Sequence, residues 1–283
     1  MKINESLKFA HEILRKAGID SFVLDSEILL GFVLKKSREW ILANPDFILH
    51  KKAEKKFFRL IIKRVKNYPV AYILGYKYFY GLKFKVNKSV LIPRPETEIL
   101  VDGTFEVVNL RGGQPARLTI LDIGTGSGCI AITLAKKIKN VKIIACDISQ
   151  KALRIAKKNA KINKVNNIEF IKSDLLKNIK NKKIDIIVAN LPYVKKDYTN
   201  DSIKYEPRSA LYSYSKDGLS YYKKLLHQIK KFEFNPKYIF FEIDPEQRPI
   251  LETFVKQIFK KTIIEIKKDL NSLGRVFIIK LII

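Results

Sequence analysis

From Leu118 to the C-terminal end, short apolar runs rich in Ile and Val alternate with amphipathic segments at helical spacing. "LTILDIG", "VKIIACDI", "IEFIKSD", "IDIIVAN", "KYIFFEI", "TIIEIKKD" and "RVFIIKLII" read as strands. Between them, "GCIAITLAKKI", "SQKALRIAKKNAKI", "DGLSYYKKLLHQIKKF" and "DPEQRPILETFVKQIF" read as helices. Continuously apolar strands are buried on both faces, and intervening helices supply the crossovers that parallel pairing requires. The pattern points to an α/β fold with a largely parallel sheet covered by helices on both sides. Only "LNSLG" separates the last two strands. That link is too short for a helical crossover, so those two are predicted to pair antiparallel.

The first 75 residues have a different rhythm. "ESLKFAHEILRKAG" carries apolar positions at helical spacing and stops at Gly18, and "SFVLDSEILLGFVL" follows with Asp20 and Ser21 available as caps. "KKAEKKFFRLIIKRVK" sets Phe57, Leu60, Ile61 and Val65 on one side and lysines opposite. Alternation in "YKYFYGLKFKV" around Gly81 predicts a β-hairpin. Pro93 and Pro95 break the chain before "ETEILVDGTFEVV" begins a helix, and "RGGQPAR" (111–117) reads as a loop. The expected organisation is a helical domain over 1–75, a hairpin linker over 76–93 and the α/β domain over 94–283.

Composition bounds the class. With 47% apolar residues in 283, a sizeable core forms and general disorder is excluded. No apolar run approaches the roughly 18 residues of a membrane span, and the N-terminus reads as an amphipathic helix rather than a secretory signal. Cys129 and Cys146 lie inside apolar runs without zinc-ligand spacing, which fits reduced core residues in a cytoplasmic protein. His11, His50 and His227 are unclustered, and no metal site is expected. The net charge of +27 has two readings, an anionic partner or a general drift towards lysine spread over nearly every segment.

Function is concentrated at the strand ends, because an open α/β sheet binds ligands beyond the carboxyl ends of its strands. After the first strand comes "LDIGTGSGCIAI", in which Gly124, Gly126 and Gly128, with Thr125 and Ser127 between, form a turn where the backbone can approach a ligand closely. The spacing is G-x-G-x-G, with Cys129 where a dinucleotide loop would place its third glycine, and no Lys-Ser/Thr pair makes a P-loop. Asp147 closes the second strand, where a carboxylate can accept hydrogen bonds from ribose hydroxyls. Asp174 and the Leu175 backbone follow the third, positioned for an adenine edge. Three such ends in succession resemble the Rossmann-like, class I S-adenosylmethionine-dependent methyltransferases, and the resemblance implies S-adenosyl-L-methionine as cofactor.

The fourth strand ends on Asn190-Leu191-Pro192-Tyr193. A side-chain amide oxygen and the next backbone carbonyl can each accept one N–H of a planar NH₂ group. Pro192 stiffens the turn, and the Tyr193 ring is expected to cover the planar group from one side. The run resembles the Asn-Pro-Pro-Tyr motif of amino-methyltransferases, with leucine at the second position. Together with "PVAYILG", "LIPRPETE", "LDIGTGSGCIAI", "ANLPYV" and "KYEPRSALYSYSKDGLSYY", it is similar nearly end to end to the release factor glutamine methyltransferases. That resemblance implies N5-methylation of the glutamine in the Gly-Gly-Gln motif of peptide chain release factors. It implies a cofactor set of Gly124 to Gly128, Asp147, Leu175 and Asn190, with a glutamine site of Asn190 to Tyr193. It also implies that "RPETE" closes over the cofactor. Two other readings stand beside it: an N6-adenine methyltransferase acting on DNA or RNA, and a catalytically weak binding module. The segment Lys195 to Lys216 is long for a connection; it either shapes the substrate cleft or is a surface excursion. A monomer is expected, with no direct nucleic-acid substrate and no membrane association.

Overall fold

The computed structural model describes residues 1–109, 118–179, 182–198 and 200–282; the loop read at 111–117 lies outside them. Two compact units are distinguished, Met1–Gly75 with Thr199–Tyr205, and Tyr76–Tyr198 with Glu206–Ile283.

The first unit contains α1 (Ile3–Lys16), α2 (Phe22–Leu34), α3 (Arg38–Ala43), α4 (Lys51–Val65) and the short α5 (Val70–Leu74). Their apolar faces meet in a core that includes Leu14, Leu29, Leu30, Ile41, Phe57 and Ile61, each fully buried. Burial of such stripes supplies most of a short helix's stability. The Arg64 guanidinium of α4 bonds the Asp25 carboxylate of α2 at 2.7 Å. The Tyr205 hydroxyl donates to the Lys66 carbonyl at 2.9 Å and brings its short segment into this unit.

The second unit opens with the predicted hairpin, β1 (Tyr76–Phe79) and β2 (Leu82–Lys85). Tyr80 and Gly81 both take positive φ between them, the two-residue geometry that matches strand twist. Then come α6 (Thr97–Asn109), β3 (Leu118–Ile123), α7 (Cys129–Lys137), β4 (Val141–Asp147), α8 (Gln150–Ile162), β5 (Ile168–Lys172) and β6 (Ile186–Ala189). The chain continues through α9 (Arg208–Leu211), α10 (Ser220–Lys231), β7 (Tyr238–Glu242), a 3₁₀ turn, α11 (Arg248–Ile258), β8 (Thr262–Lys268) and β9 (Gly274–Leu281). The seven strands stand in the order β5-β4-β3-β6-β7-β9-β8. The first five are mutually parallel, and β9 runs antiparallel to both neighbours. The final pair therefore forms as the short link requires, and β9 inserts between β7 and β8.

The two faces of the sheet carry separate apolar cores. One holds Ile120, Ile143 and Phe240 against α6 and α7; the other holds Leu121, Phe241 and Phe277 against α10 and α11. Parallel strands end together at one edge, and the sign of the chain reversal between β3 and its two neighbours opens a crevice there. Asn159, fully buried in α8, braces that edge. It accepts the Lys85 N–H at 2.7 Å and donates to the carbonyls of Lys85 and Ser127, tying the hairpin's end to the turn after β3.

Candidate active site

The carboxyl ends of β3, β4, β5 and β6 converge on a cavity of about 270 Å³. Gly124, Thr125, Gly126 and Ser127 form one wall, Asp147 and Ile148 a second, Asp174 and Leu175 a third, and Asn190, Leu191 and Pro192 a fourth. Two of the residues singled out in the sequence do not line it, Gly128 and Tyr193. Gly128 is instead a packing position at the start of α7, where a Cβ would stand 2.9 Å from Ile132 Cδ1 and 3.1 Å from Ala156 Cβ.

The turn after β3 is held from below by Asp122, which is completely buried. Its Oδ2 accepts the Thr125 hydroxyl at 2.6 Å and the Ala131 N–H at 3.2 Å, while Oδ1 has no partner among the described residues. Burial pushes this carboxyl up to about 7, with the Thr125 and Ala131 bonds pulling the other way. The Thr125 hydroxyl is thus committed to supporting the loop. At Gly126 a Cβ would meet only the Gly124 carbonyl, at 3.8 Å, so that side of the turn faces open space.

Asp147 binds the loop as well as facing the cavity. Its Oδ2 accepts the Gly126 N–H at 2.9 Å and its Oδ1 the Ser149 N–H at 2.7 Å. A carboxylate has about four acceptor positions, so capacity for two hydroxyl donors remains. Burial raises its affinity for a proton, and the two N–H bonds oppose that. Ser149 caps α8, its hydroxyl accepting the Ala152 N–H. After β5, Leu175 adopts φ 54, and its carbonyl accepts the Ser173 hydroxyl at 2.7 Å. The Leu175 N–H makes no bond among the described residues, whereas both Asp174 oxygens are taken by Lys224, with Lys177 adding an ion pair. At this strand end the Leu175 N–H is thus the uncommitted donor, and the Asp174 carboxylate is engaged by lysines.

At the end of β6, Asn190 Nδ2 donates to the Thr97 hydroxyl at 3.2 Å. Asn190 Oδ1 carries no bond among the described residues. Leucine at 191 introduces an N–H that proline lacks, and the buried Tyr222 hydroxyl accepts it at 3.2 Å. The same hydroxyl donates towards the Glu242 and Leu191 carbonyls. It has one proton and bonds Glu242 more closely, which leaves acceptor capacity on the Leu191 carbonyl. The Tyr193 ring packs into the core on the α10–α11 side, and its hydroxyl donates to Glu242 Oε1 at 3.2 Å.

The long segment after Val194 contributes the remaining wall. Buried Glu206 accepts the Ile92 N–H at 2.9 Å and pairs with the Arg94 guanidinium. Pro207, Ser209 and Ala210 thereby line the cavity together with Leu91, Pro93 and Arg94. Glu98, by contrast, turns to the hairpin and accepts the Tyr80 N–H at 2.7 Å. Sequence reasoning did not find Asp122, Thr97, Tyr222 or Glu242. Asp122 was visible as an acid inside an otherwise apolar strand, and Glu242 in "FFEI" gave the same signal.

Residues 5–75 match the family model described as PrmC N-terminal domain, and residues 107–206 match the Methyltransferase small domain. Over 281 residues the chain is 35% identical to the release factor glutamine methyltransferase of Bacillus cereus, covering 97% of this chain and 98% of that protein. The protein of the same name from Borreliella burgdorferi is 38% identical over 279 residues, covering 96% and 93%. The chain belongs to the release factor glutamine methyltransferase family. It also matches a bifunctional methyltransferase of Rickettsia conorii at 37% identity, where it spans 98% of its own length but 57% of that protein. Among solved structures, the human methyltransferase 10 domain containing protein superposes with a TM-score of 0.53 at 18% identity, covering 72% of this chain and 90% of that one. A Pyrococcus furiosus methyltransferase gives 0.51 at 16%, covering 78% and 97%. These two likenesses concern the fold alone. The family's methyltransferases use S-adenosyl-L-methionine.

Proposed function

We propose that the protein methylates the side-chain amide nitrogen (N5) of the glutamine in the Gly-Gly-Gln motif of peptide chain release factors, using S-adenosyl-L-methionine. The donor set suits that cofactor. Asp147 offers carboxylate oxygens to the ribose diol, the Leu175 N–H suits an adenine ring nitrogen, and Ile148 supplies an apolar surface for the base. The turn from Gly124 to Ser127 brings backbone close to the remainder, and Asn190 closes the cofactor's reactive end. When bound, S-adenosyl-L-methionine supplies a sulfonium-activated methyl group as the electrophile.

The chain's own part is to hold the nucleophile. Asn190 Oδ1 and the Leu191 carbonyl each accept one N–H of the glutamine carboxamide. That fixes the plane of the amide and favours the positive charge that builds on its nitrogen during transfer. Pro192 lacks an N–H that would compete for these acceptors, and Tyr193, turned into the core and anchored to Glu242 through its hydroxyl, fixes the end of the motif from behind the cavity wall. The single observation that carries the reading is the division of labour at Asn190. Its nitrogen is occupied by Thr97 at 3.2 Å, and its oxygen is left over beside the glycine turn.

The test is mass spectrometry of a release factor incubated with the protein and cofactor. A single methyl on the Gly-Gly-Gln glutamine is expected. Methylation of DNA or RNA with none on the release factor would overturn the proposal.

A further inference from the structure

Glu242, the last residue of β7, is a buried acid that the proposed chemistry does not use. It is 2% exposed and makes no ion pair among the described residues. Its Oε1 accepts the Tyr193 hydroxyl at 3.2 Å, and its Oε2 has no partner among the described residues. Burial raises its affinity for a proton, and Glu96 adds to this, while the Thr97 hydroxyl, the Tyr193 hydroxyl and the Asn190 amide lie close enough to favour the charged form. So one carboxylate adjoins Thr97 and Asn190, which line the cavity, and Tyr193, which packs behind it.

We propose that Glu242 is a positioning residue that sets which way the Asn190 carboxamide faces, and this inference rests on the proposed glutamine chemistry. A carboxamide has two ends of similar size and opposite polarity, and only its surroundings choose between them. A carboxylate accepts and does not donate. With Glu242 behind it, the amide places Nδ2 inward, towards Thr97 and the carboxylate. The flipped arrangement would set Oδ1 against an acceptor. Holding Nδ2 inward leaves Oδ1 as the atom presented to the substrate NH₂. Tyr193 is fixed by the same group, so the two residues are kept in one mutual geometry.

The experiment compares the wild type with Glu242→Gln, measuring kcat, KM for a release factor and cofactor affinity. Glutamine keeps the size but brings an NH₂ that can face Asn190, so the orientation is no longer imposed. The expected result is a fall in kcat of about ten- to a hundredfold, the scale of one charge-assisted hydrogen bond, with cofactor affinity and KM within about threefold of wild type. The same step is then made in an Asn190→Ala, Tyr193→Phe background, which lacks both groups the carboxylate holds. There it should change kcat by less than about threefold. Should Glu242→Gln fail to fold, judged by its thermal melt, Thr97→Val carries the test, with a similar fall in kcat expected because Nδ2 loses its acceptor. A kcat within about threefold of wild type, or a full loss that persists in the double background, overturns the positioning role. Absence of glutamine methylation by the wild type would instead overturn the proposed function.

Discussion

Replacing Asp122 by Asn should change how the protein's stability depends on pH. Asp122 is completely buried under the glycine turn, and burial raises its carboxyl from 3.8 to about 7. The folded chain thus holds this proton more tightly than the unfolded chain does. The sign follows: the contribution is fully present below 3.8 and is lost as pH rises through about 7. Moving from about pH 5 to about pH 8, this one group should remove about 2.5 kcal/mol of unfolding free energy. Asparagine can place its oxygen where Oδ2 accepts Thr125 and Ala131. Its NH₂ then occupies the position of Oδ1, which has no partner among the described residues, at a cost of about 1–3 kcal/mol that does not vary with pH. The variant is therefore expected to be less stable at low pH and to close the gap, or overtake, as pH rises. Asp147 and Glu242 are also raised by burial, but both remain in the variant and largely cancel in the difference. Urea unfolding of both proteins at the two pH values measures it. Equal slopes would refute the assignment of a neutral, proton-holding Asp122.

Three further changes test the cleft. Asn190→Ala should lower turnover by about two to three orders of magnitude, the loss typical of one well-placed transition-state group, with cofactor affinity much less affected; near-normal turnover in single-turnover kinetics would remove Asn190 from the chemistry. Asp147→Ala should chiefly weaken cofactor binding, read by calorimetry, because it removes the acceptor for a diol and frees the Gly126 N–H; unchanged affinity would end the ribose role. Gly124→Ala should destabilise by about 1–2 kcal/mol from its left-handed backbone alone, since φ is +74, and its Cβ would press on Leu191 Cδ2 at 3.0 Å. A melting temperature equal to wild type would count against the coupling of the glycine turn to the Asn190 motif.

What the chain disclosed before folding was whatever repeats locally. Continuous apolar runs gave the parallel strands because burial on two faces leaves no polar positions, and the brevity of "LNSLG" forced β8 and β9 into antiparallel pairing. The insertion of β9 beside β7 was not legible. β9 is buried on both faces through Val276 to Ile279 whereas β8 alternates half-buried and exposed residues, but neither pattern names the strand that lies beside it. At the site, residues that line the cavity where the chain turns, such as Gly126 and Leu175, were found because glycine spacing and strand ends are sequence-local. Supporting contacts were missed because they join distant segments: Glu206 reaches Ile92 across 114 positions, and Asn159 reaches Lys85 across 74. Tyr193 and Thr125 were placed on the ligand side, and the fold turns the hydroxyl of each to a buried carboxylate. A hydroxyl beside an acid in space satisfies it whatever their separation in sequence.

The placement of charge makes these buried acids informative together. The chain carries 55 basic and 28 acidic side chains, so lysine is available almost everywhere to neutralise a carboxylate. Asp174, Glu169 and Asp217 are indeed matched to lysines on the second unit. Asp122, Asp147 and Glu242, at the ends of β3, β4 and β7, form no ion pair among the described residues and rely on hydroxyls and backbone N–H groups. A lysine beside them would relieve the burial cost, yet it would also place a positive charge next to the cleft. Leaving these acids without cationic partners keeps positive charge away from the cleft in a strongly positive protein. Asp122, while it holds its proton, adds no charge, and the negative potential rests on Asp147 and Glu242 in their ionised forms. Such a cleft favours a ligand that brings its own positive charge, and it disfavours the same ligand once that charge is lost. A sulfonium donor becomes a neutral thioether on giving up its methyl. Asp147, the one of these acids that lines the cavity, therefore favours the reactant over the product at this edge of the sheet when it is ionised.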